Sequence, residues 1–228
     1  MADGCLLYYI TDRTAFAADE PTRRRRLLEK IGEVARAGVD CIQLREKDLS
    51  TRELESLAHE SIAVLNQLRI ENQELRTTLL INSRTDVALA AGAEGVHLRS
   101  EDIMPRVVRQ IWATCGAAAL ARESAPEIPV IGVSCHSPEE VAQAVDEGAS
   151  FAVFAPVFDK KSVPSTKPTG LSQLREACKA SIPVLALGGV TLENAKSCLE
   201  AGAVGIAGIR LFQENDPATT AERLRRLG

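Results

Sequence analysis

Hydrophobic and polar positions along this chain fall into a repeating phrase. Four times an apolar helical stretch reaches a glycine and passes at once into a strand-like run: Gly38 before Val39 to Leu44, Gly92 before Ala93 to Leu98, Gly148 before Ala149 to Phe154, and Gly202 before Ala203 to Gly208. The glycines recur at spacings of 54, 56 and 54 residues. Each interval also holds a second short apolar run: Cys5 to Thr11, Thr78 to Asn82, Pro129 to Ser134 and Pro183 to Gly188. The repeat unit is therefore a pair of strand–helix units, and four pairs make eight strands. Runs apolar on both faces, separated by helix-length segments, belong to a parallel sheet covered by helices rather than to a sandwich. Eight such units predict an α/β fold closed as a (β/α)₈ TIM barrel. The competing open, doubly wound sheet would carry a GxGxxG turn after its first strand, where this chain has Thr11-Asp12-Arg13.

Length and charge fit that reading. A chain of 228 residues is near the lower end for one barrel, so residues 1–228 are expected to form one domain. The basic run Arg23 to Arg26 falls inside the expected first helix and, in a chain of net charge −4, reads as a solvated face rather than a nucleic-acid patch. No run approaches a membrane span, and Asp3 stands where a signal peptide would be basic, so a cytoplasmic protein is expected. The six cysteines lack metal-site spacing and read as reduced thiols, mostly buried.

Chemistry in such a barrel lies at the C-terminal ends of the strands. Strand two delivers Gln43, Arg45 and Lys47; strand three Asn82, Ser83 and Arg84; strand four His97, Arg99, Glu101 and Asp102; strand five Ser134 and His136. The loop after strand six carries Lys160, Lys161, Ser165, Thr166 and Lys167, strand seven ends at Gly188-Gly189, and strand eight ends at Gly208 and Arg210. So many cations on one face of an acidic chain predict an anionic ligand. The glycines after strands seven and eight, close to Ala207, let backbone amides approach a phosphomonoester, although small residues packing the rim would look the same. Arg45 and Lys47 with Lys167 form a second cationic group, which implies a bisphosphate or two phosphorylated substrates. His97 reads as a satisfied barrel histidine and His59 as a surface one.

The runs Tyr8 to Asp12, Gly38 to Asp48, Leu80 to Asn82, Asp86 to Leu98, Gly132 to Ser137, Ala155 to Phe158 and Leu187 to Val190 resemble thiamine phosphate synthases and their thiazole tautomerase relatives. The resemblance spans essentially the whole chain. It implies transfer of hydroxymethylpyrimidine from its diphosphate to the nitrogen of a thiazole phosphate, with small phosphorylated heterocycles as substrates, no nucleic-acid or membrane partner, and Mg²⁺ as cofactor. It further implies that Gln43 and Asn82 contact the diphosphate or pyrimidine, that Arg45, Lys47, Thr166 and Lys167 bind the leaving anion, and that Asp102 is a metal ligand. Ser134 would lie near the reacting centre, and Gly189, Ala207 and Gly208 would cradle the thiazole phosphate. A dimer or trimer is also implied, for which no exposed apolar stripe argues independently.

Several positions depart from the family pattern. Ser83 replaces the aspartate of Asn-Asp-Arg, which removes one of two expected metal carboxylates and implies weak Mg²⁺ binding. Arg99 and Arg210 are extra cations placed to take over part of a metal's role, and the Lys160 to Lys167 loop is longer than usual. Two other readings stay open: a thiazole tautomerase, with His136 as proton shuttle, and a degenerate barrel that only binds thiamine intermediates.

Overall fold

Each of the eight apolar runs becomes a strand in the computed structural model, which describes residues 4–119, 128–159 and 168–228. The strands are β1 (Leu6–Ile10), β2 (Cys41–Leu44), β3 (Thr78–Asn82), β4 (Gly95–Leu98), β5 (Val130–Cys135), β6 (Phe151–Phe154), β7 (Val184–Ala186) and β8 (Gly205–Gly208). They pair in parallel in sequence order, and β8 returns to β1 through Leu6 opposite Gly205 and Tyr8 opposite Ala207, which closes the barrel. β7 is shorter than expected. Leu187 still donates to the Phe154 carbonyl, but the chain then turns at Gly188 with φ of 94°.

The helices are α1 (Glu20–Arg36), α2 (Thr51–Glu71), α3 (Thr85–Ala91), α4 (Pro105–Ala119), α5 (Pro138–Asp146), α6 (Gly170–Ala177), α7 (Ala195–Glu200), α8 (Arg210–Gln213) and α9 (Pro217–Arg225). The starts of α1, α2, α5 and α9 follow from side chains that satisfy the first free amides. Asp19 caps α1, Ser50 and Glu53 form a reciprocal capping box on α2, and Ser137 caps α5. The basic run on α1 is a helix face: Arg24 pairs with Glu60 and Arg25 with Glu29.

Strand alternation divides the core. Tyr8, Ile10, Leu80, Phe151, Val153, Leu185 and Ala207 fill the barrel interior. The intervening residues, such as Leu7, Tyr9, Ile42, Leu44, Ile81 and Val96, pack outward against Leu27 and Ile31 of α1, Leu57 and Leu65 of α2 and their counterparts. Burial of each such side chain is worth about 1.5–3 kcal/mol. All six cysteines are free; Cys5, Cys135 and Cys198 are buried, while Cys115 is exposed. Among the described residues no helix is long and apolar enough to cross a membrane.

The glycine junctions have a chemical counterpart at the opposite end of the barrel from the expected site. All four glycines sit at positive φ, between 75° and 106°, as helix-terminating glycines do. The residue two places after each then reaches back to the preceding strand. Asp40 accepts from the Leu7 amide (2.7 Å), Glu94 from the Leu79 amide (2.9 Å) and Ser150 from the Ile131 amide (3.0 Å). Each also receives an arginine from a helix: Arg225 of α9, Arg69 of α2 and Arg109 of α4 respectively. The fourth position is Val204, which has no polar side chain and is exposed.

Candidate active site

β2 brings its charged exit to the mouth in a fixed pose. The Arg45 amide donates to Thr11 Oγ1 (2.9 Å), and Thr11 in turn donates to Glu46 Oε1 (2.5 Å). Glu46 is buried and also accepts from the Arg13 amide (3.0 Å) and from Arg13 Nη1 (3.3 Å). Arg13, only 3 % exposed, continues to Asp48 (2.6 Å) and Glu20 (2.8 Å). Burial pushes the Glu46 carboxyl above the ordinary carboxylate range, against the pull of Thr11 and Arg13. Thr11, Arg13 and Glu46 were not singled out as site residues in the sequence. The available signal was the Thr11-Asp12-Arg13 turn lying one strand away from Arg45 and Glu46.

The cations crowd one another. Arg45, then burial and Arg99, hold the Lys47 ammonium below the ordinary lysine range. Among the described residues neither Arg45 nor Lys47 has an ion pair, whereas Arg99 pairs with Asp102 at 2.8 Å. Like charges held together with few paired carboxylates favour an anion between them.

A hydrogen-bonded chain runs from the barrel interior to Arg99. Buried Gln43 donates through Nε2 to Asn82 Oδ1 (2.9 Å), Asn82 Nδ2 donates to Ser83 Oγ (3.2 Å), and Arg99 Nε donates to the same Ser83 Oγ (3.2 Å). Ser83 is the only non-glycine residue at positive φ (60°) among those described. Asp102 accepts from Arg99 Nη2 and Nε on Oδ1 (2.8 and 3.2 Å) and from the Arg99 amide on Oδ2 (2.8 Å). Burial alone would raise the Asp102 carboxyl, but hydrogen bonds from Arg99 and Ser83 bring it below the usual range. These residues do not fit the expected Mg²⁺: both Asp102 oxygens are taken, Ser83 supplies no charge, and no group of three His, Cys, Asp or Glu side chains suited to a metal occurs among the described residues.

Ser134 is oriented from inside the barrel. Its Oγ lies 2.9 Å from His97 Nε2, and His97 Nδ1 lies 2.9 Å from Tyr8 Oη. Burial, then the Arg45 charge, pushes His97 down to about 3, so its ring is neutral at working pH. His97 is thus a satisfied barrel histidine, as read from its place in the strand, and it also holds Ser134. His136 is exposed at the mouth and donates from Nδ1 to the Ala155 carbonyl (2.6 Å), which leaves Nε2 as the free ring nitrogen.

The glycine rim has a packing reason and an open pair of amides. A Cβ on Gly189 would fall 2.6 Å from the Asp159 carbonyl oxygen, and its φ of 65° is a glycine conformation. The bland explanation therefore accounts for the missing side chain. Among the described residues, however, neither the Gly189 nor the Val190 amide meets an acceptor, and consecutive free amides after a positive-φ turn form an anion nest. Ala207 is buried inside the barrel, Gly208 packs against Leu211, and Arg210 is exposed at the first position of α8. Thr166 and Lys167, with the rest of 160–167, lie outside the described residues. A separate concavity of about 540 Å³ lies between α1 and α2, but its Arg24 and Arg25 are already neutralised by Glu60 and Glu29.

Residues 7–212 match the family described as thiamine monophosphate synthase. The chain is 34 % identical over 226 residues to the thiamine-phosphate synthase of Syntrophomonas wolfei, which covers 97 % of this chain and 95 % of that one. It is 34 % identical over 221 residues to the thiamine-phosphate synthase of Clostridium novyi, covering 95 % of each. Among solved structures, thiamine phosphate pyrophosphorylase from Pyrococcus furiosus superposes with a TM-score of 0.74 at 29 % identity, over 99 % of this chain and 96 % of that one. Barrel closure, the cationic mouth and these full-length matches lead to one assignment: the chain belongs to the thiamine monophosphate synthase family.

Proposed function

We propose that this chain joins hydroxymethylpyrimidine diphosphate to thiazole phosphate, giving thiamine phosphate and pyrophosphate. The observation that carries the proposal is the convergence of Arg45, Lys47 and Arg99 at one barrel mouth, two of them without a carboxylate partner among the described residues. In the reaction the bond from the pyrimidine methylene to the diphosphate oxygen breaks with its electron pair leaving on pyrophosphate. The thiazole nitrogen lone pair then forms the new carbon–nitrogen bond. No proton has to move, so the site needs a stabilised leaving anion more than an acid or base.

Arg45, Lys47 and Arg99 are assigned to the diphosphate, with Lys167 and Thr166 as the resemblance implies. Gln43 and Asn82 line the pyrimidine side, and the mutual hydrogen bond between them (2.9 Å) sets their amide orientation. Ser134, aimed by neutral His97, borders the reacting carbon. The Gly189 and Val190 amides, free among the described residues, with Gly208, Ala207 and Arg210 at the exit of the neighbouring strand, receive the thiazole phosphate. Mg²⁺, expected from the resemblance, finds in Asp102 one carboxylate that Arg99 already occupies, so side chains and backbone amides carry these steps. The six free thiols support a reducing, cytoplasmic setting.

The two sequence relatives named above are thiamine-phosphate synthases, and no contact among the described residues favours the isomerase or the purely binding reading. The test is incubation of the full chain with both phosphorylated substrates, with product separated by chromatography. Thiamine phosphate and pyrophosphate in equal amounts are expected. Absence of both, with and without Mg²⁺, overturns the proposal.

A further inference from the structure

We propose that the Arg99 guanidinium, held by Asp102 and Ser83, is the built-in cation that faces the diphosphate, so that this chain binds pyrophosphate without a divalent metal. The inference rests on the synthase reading of the site and goes beyond it in naming what replaces a metal.

The geometry is that of a fixed cation with a free edge. A guanidinium carries five N–H donors in one plane. Arg99 commits Nε to Ser83 Oγ and Asp102 Oδ1, and Nη2 to Asp102 Oδ1. Its Nη1 has no partner among the described residues, so donors remain for an incoming anion. The Arg99 side chain is 56 % exposed while that of Asp102 is 9 % exposed. The carboxylate is thus the more shielded partner, and its charge is already balanced by Arg99.

Ser83 completes the arrangement. Its hydroxyl oxygen receives both Arg99 Nε and Asn82 Nδ2, which ties the guanidinium to the chain that begins at buried Gln43. A neutral hydroxyl at this point leaves Asp102 with a single counter-charge to hold, and Arg99 supplies it. The Arg99 charge also reaches Lys47, which lies in the combined field of Arg45 and Arg99. Three cations thus act on one another at the same mouth. A planar, permanently charged fork suits phosphate oxygens bidentately, whereas Mg²⁺ requires an octahedral oxygen shell that one shielded carboxylate does not begin to supply.

The experiment is calorimetric titration of the full chain with inorganic pyrophosphate, in EDTA and in millimolar Mg²⁺, for the parent, Arg99→Gln and Arg99→Lys, alongside the synthase assay. The parent is expected to bind in EDTA, with affinity changed by less than about threefold by Mg²⁺. Arg99→Gln should weaken metal-free binding by about tenfold or more, as loss of a charge-assisted contact does, and Arg99→Lys should recover part of it. Circular dichroism of each variant separates this from loss of fold. Binding by the parent that needs Mg²⁺, or an Arg99→Gln variant that binds in EDTA like the parent, overturns the proposal even if thiamine phosphate forms. Metal-free binding that depends on Arg99, in a chain that forms no thiamine phosphate, upholds the clamp and overturns the synthase reading. No binding under either condition overturns the clamp, while the synthase reading stands or falls on thiamine phosphate formation.

Discussion

Thr11 accepts the Arg45 amide at 2.9 Å and donates to Glu46 at 2.5 Å, so a single buried hydroxyl ties the end of the first strand to the first cation of the site. Thr11→Val keeps the shape and removes both bonds, leaving a buried amide and a buried carboxylate oxygen short of a partner. A stability loss of about 1–3 kcal/mol is expected in urea melts. Pyrophosphate affinity should fall by roughly three- to tenfold as Arg45 loses its pose, and Thr11→Ser should restore both. A folded Thr11→Val chain with unchanged pyrophosphate affinity would show that Arg45 is positioned by other means.

Ser83→Asp places a second carboxylate beside Asp102. The backbone should accept it readily, because aspartate tolerates the left-handed conformation that Ser83 already adopts at φ of 60°. Two carboxylates offer Mg²⁺ a better shell and put more negative charge on Arg99. Pyrophosphate binding should become weaker in EDTA and tighter with added Mg²⁺ than in the parent. A magnesium titration that superimposes on the parent's would contradict this.

His97 links stability to pH. Its folded value lies near 3 against an ordinary 6.5, because burial and then Arg45 disfavour the charged ring. Between those values the unfolded chain takes up a proton that the folded chain refuses. Its contribution to stability is therefore complete above about pH 6.5 and is lost progressively as pH falls toward 3. From pH 7 to 5 the linked loss is about 2 kcal/mol. His97→Gln should flatten this dependence in urea melts at the two pH values, and equal pH slopes for parent and variant would rule the linkage out.

His136 tests the choice between reactions. Its Nδ1 is engaged by the Ala155 carbonyl, and a transfer without proton movement asks little more of it. His136→Asn should cost synthase activity about tenfold or less, whereas loss of a proton carrier in a thiazole isomerisation costs on the order of 10²–10⁴-fold. Rates of both reactions measured on the same variant decide the matter.

Much of the fold was legible because it depends on local rules. The junctions at Gly38, Gly92, Gly148 and Gly202 each mark a helix end whatever the tertiary context, and all four precede a strand. Strand alternation likewise carries Gln43, Asn82, His97 and Ser134 to one interior, where they meet in pairs. The pairing of Arg99 with Asp102 was not legible. It depends on how the loop after β4 curls back on itself, which no periodicity encodes, and Asp102 was read as a metal ligand instead. Arg13 was missed for a similar reason: only the folded chain brings Glu46 and Asp48 against it, and a lone arginine after a strand looks like surface.

Arg225 carries a consequence for how the chain is made. It donates to the Cys5 carbonyl (2.5 Å), the Gly38 carbonyl (2.8 Å) and Asp40 (2.9 Å), which itself receives the Leu7 amide. The residues it latches leave the ribosome about two hundred positions before Arg225 does. During synthesis β1 therefore presents an open edge on its β8 side until β8 has emerged, and pairing across about two hundred residues is slow to find. Arg225 then fastens the closed edge, so a chain that stops short of α9 lacks the bolt and not merely a surface helix.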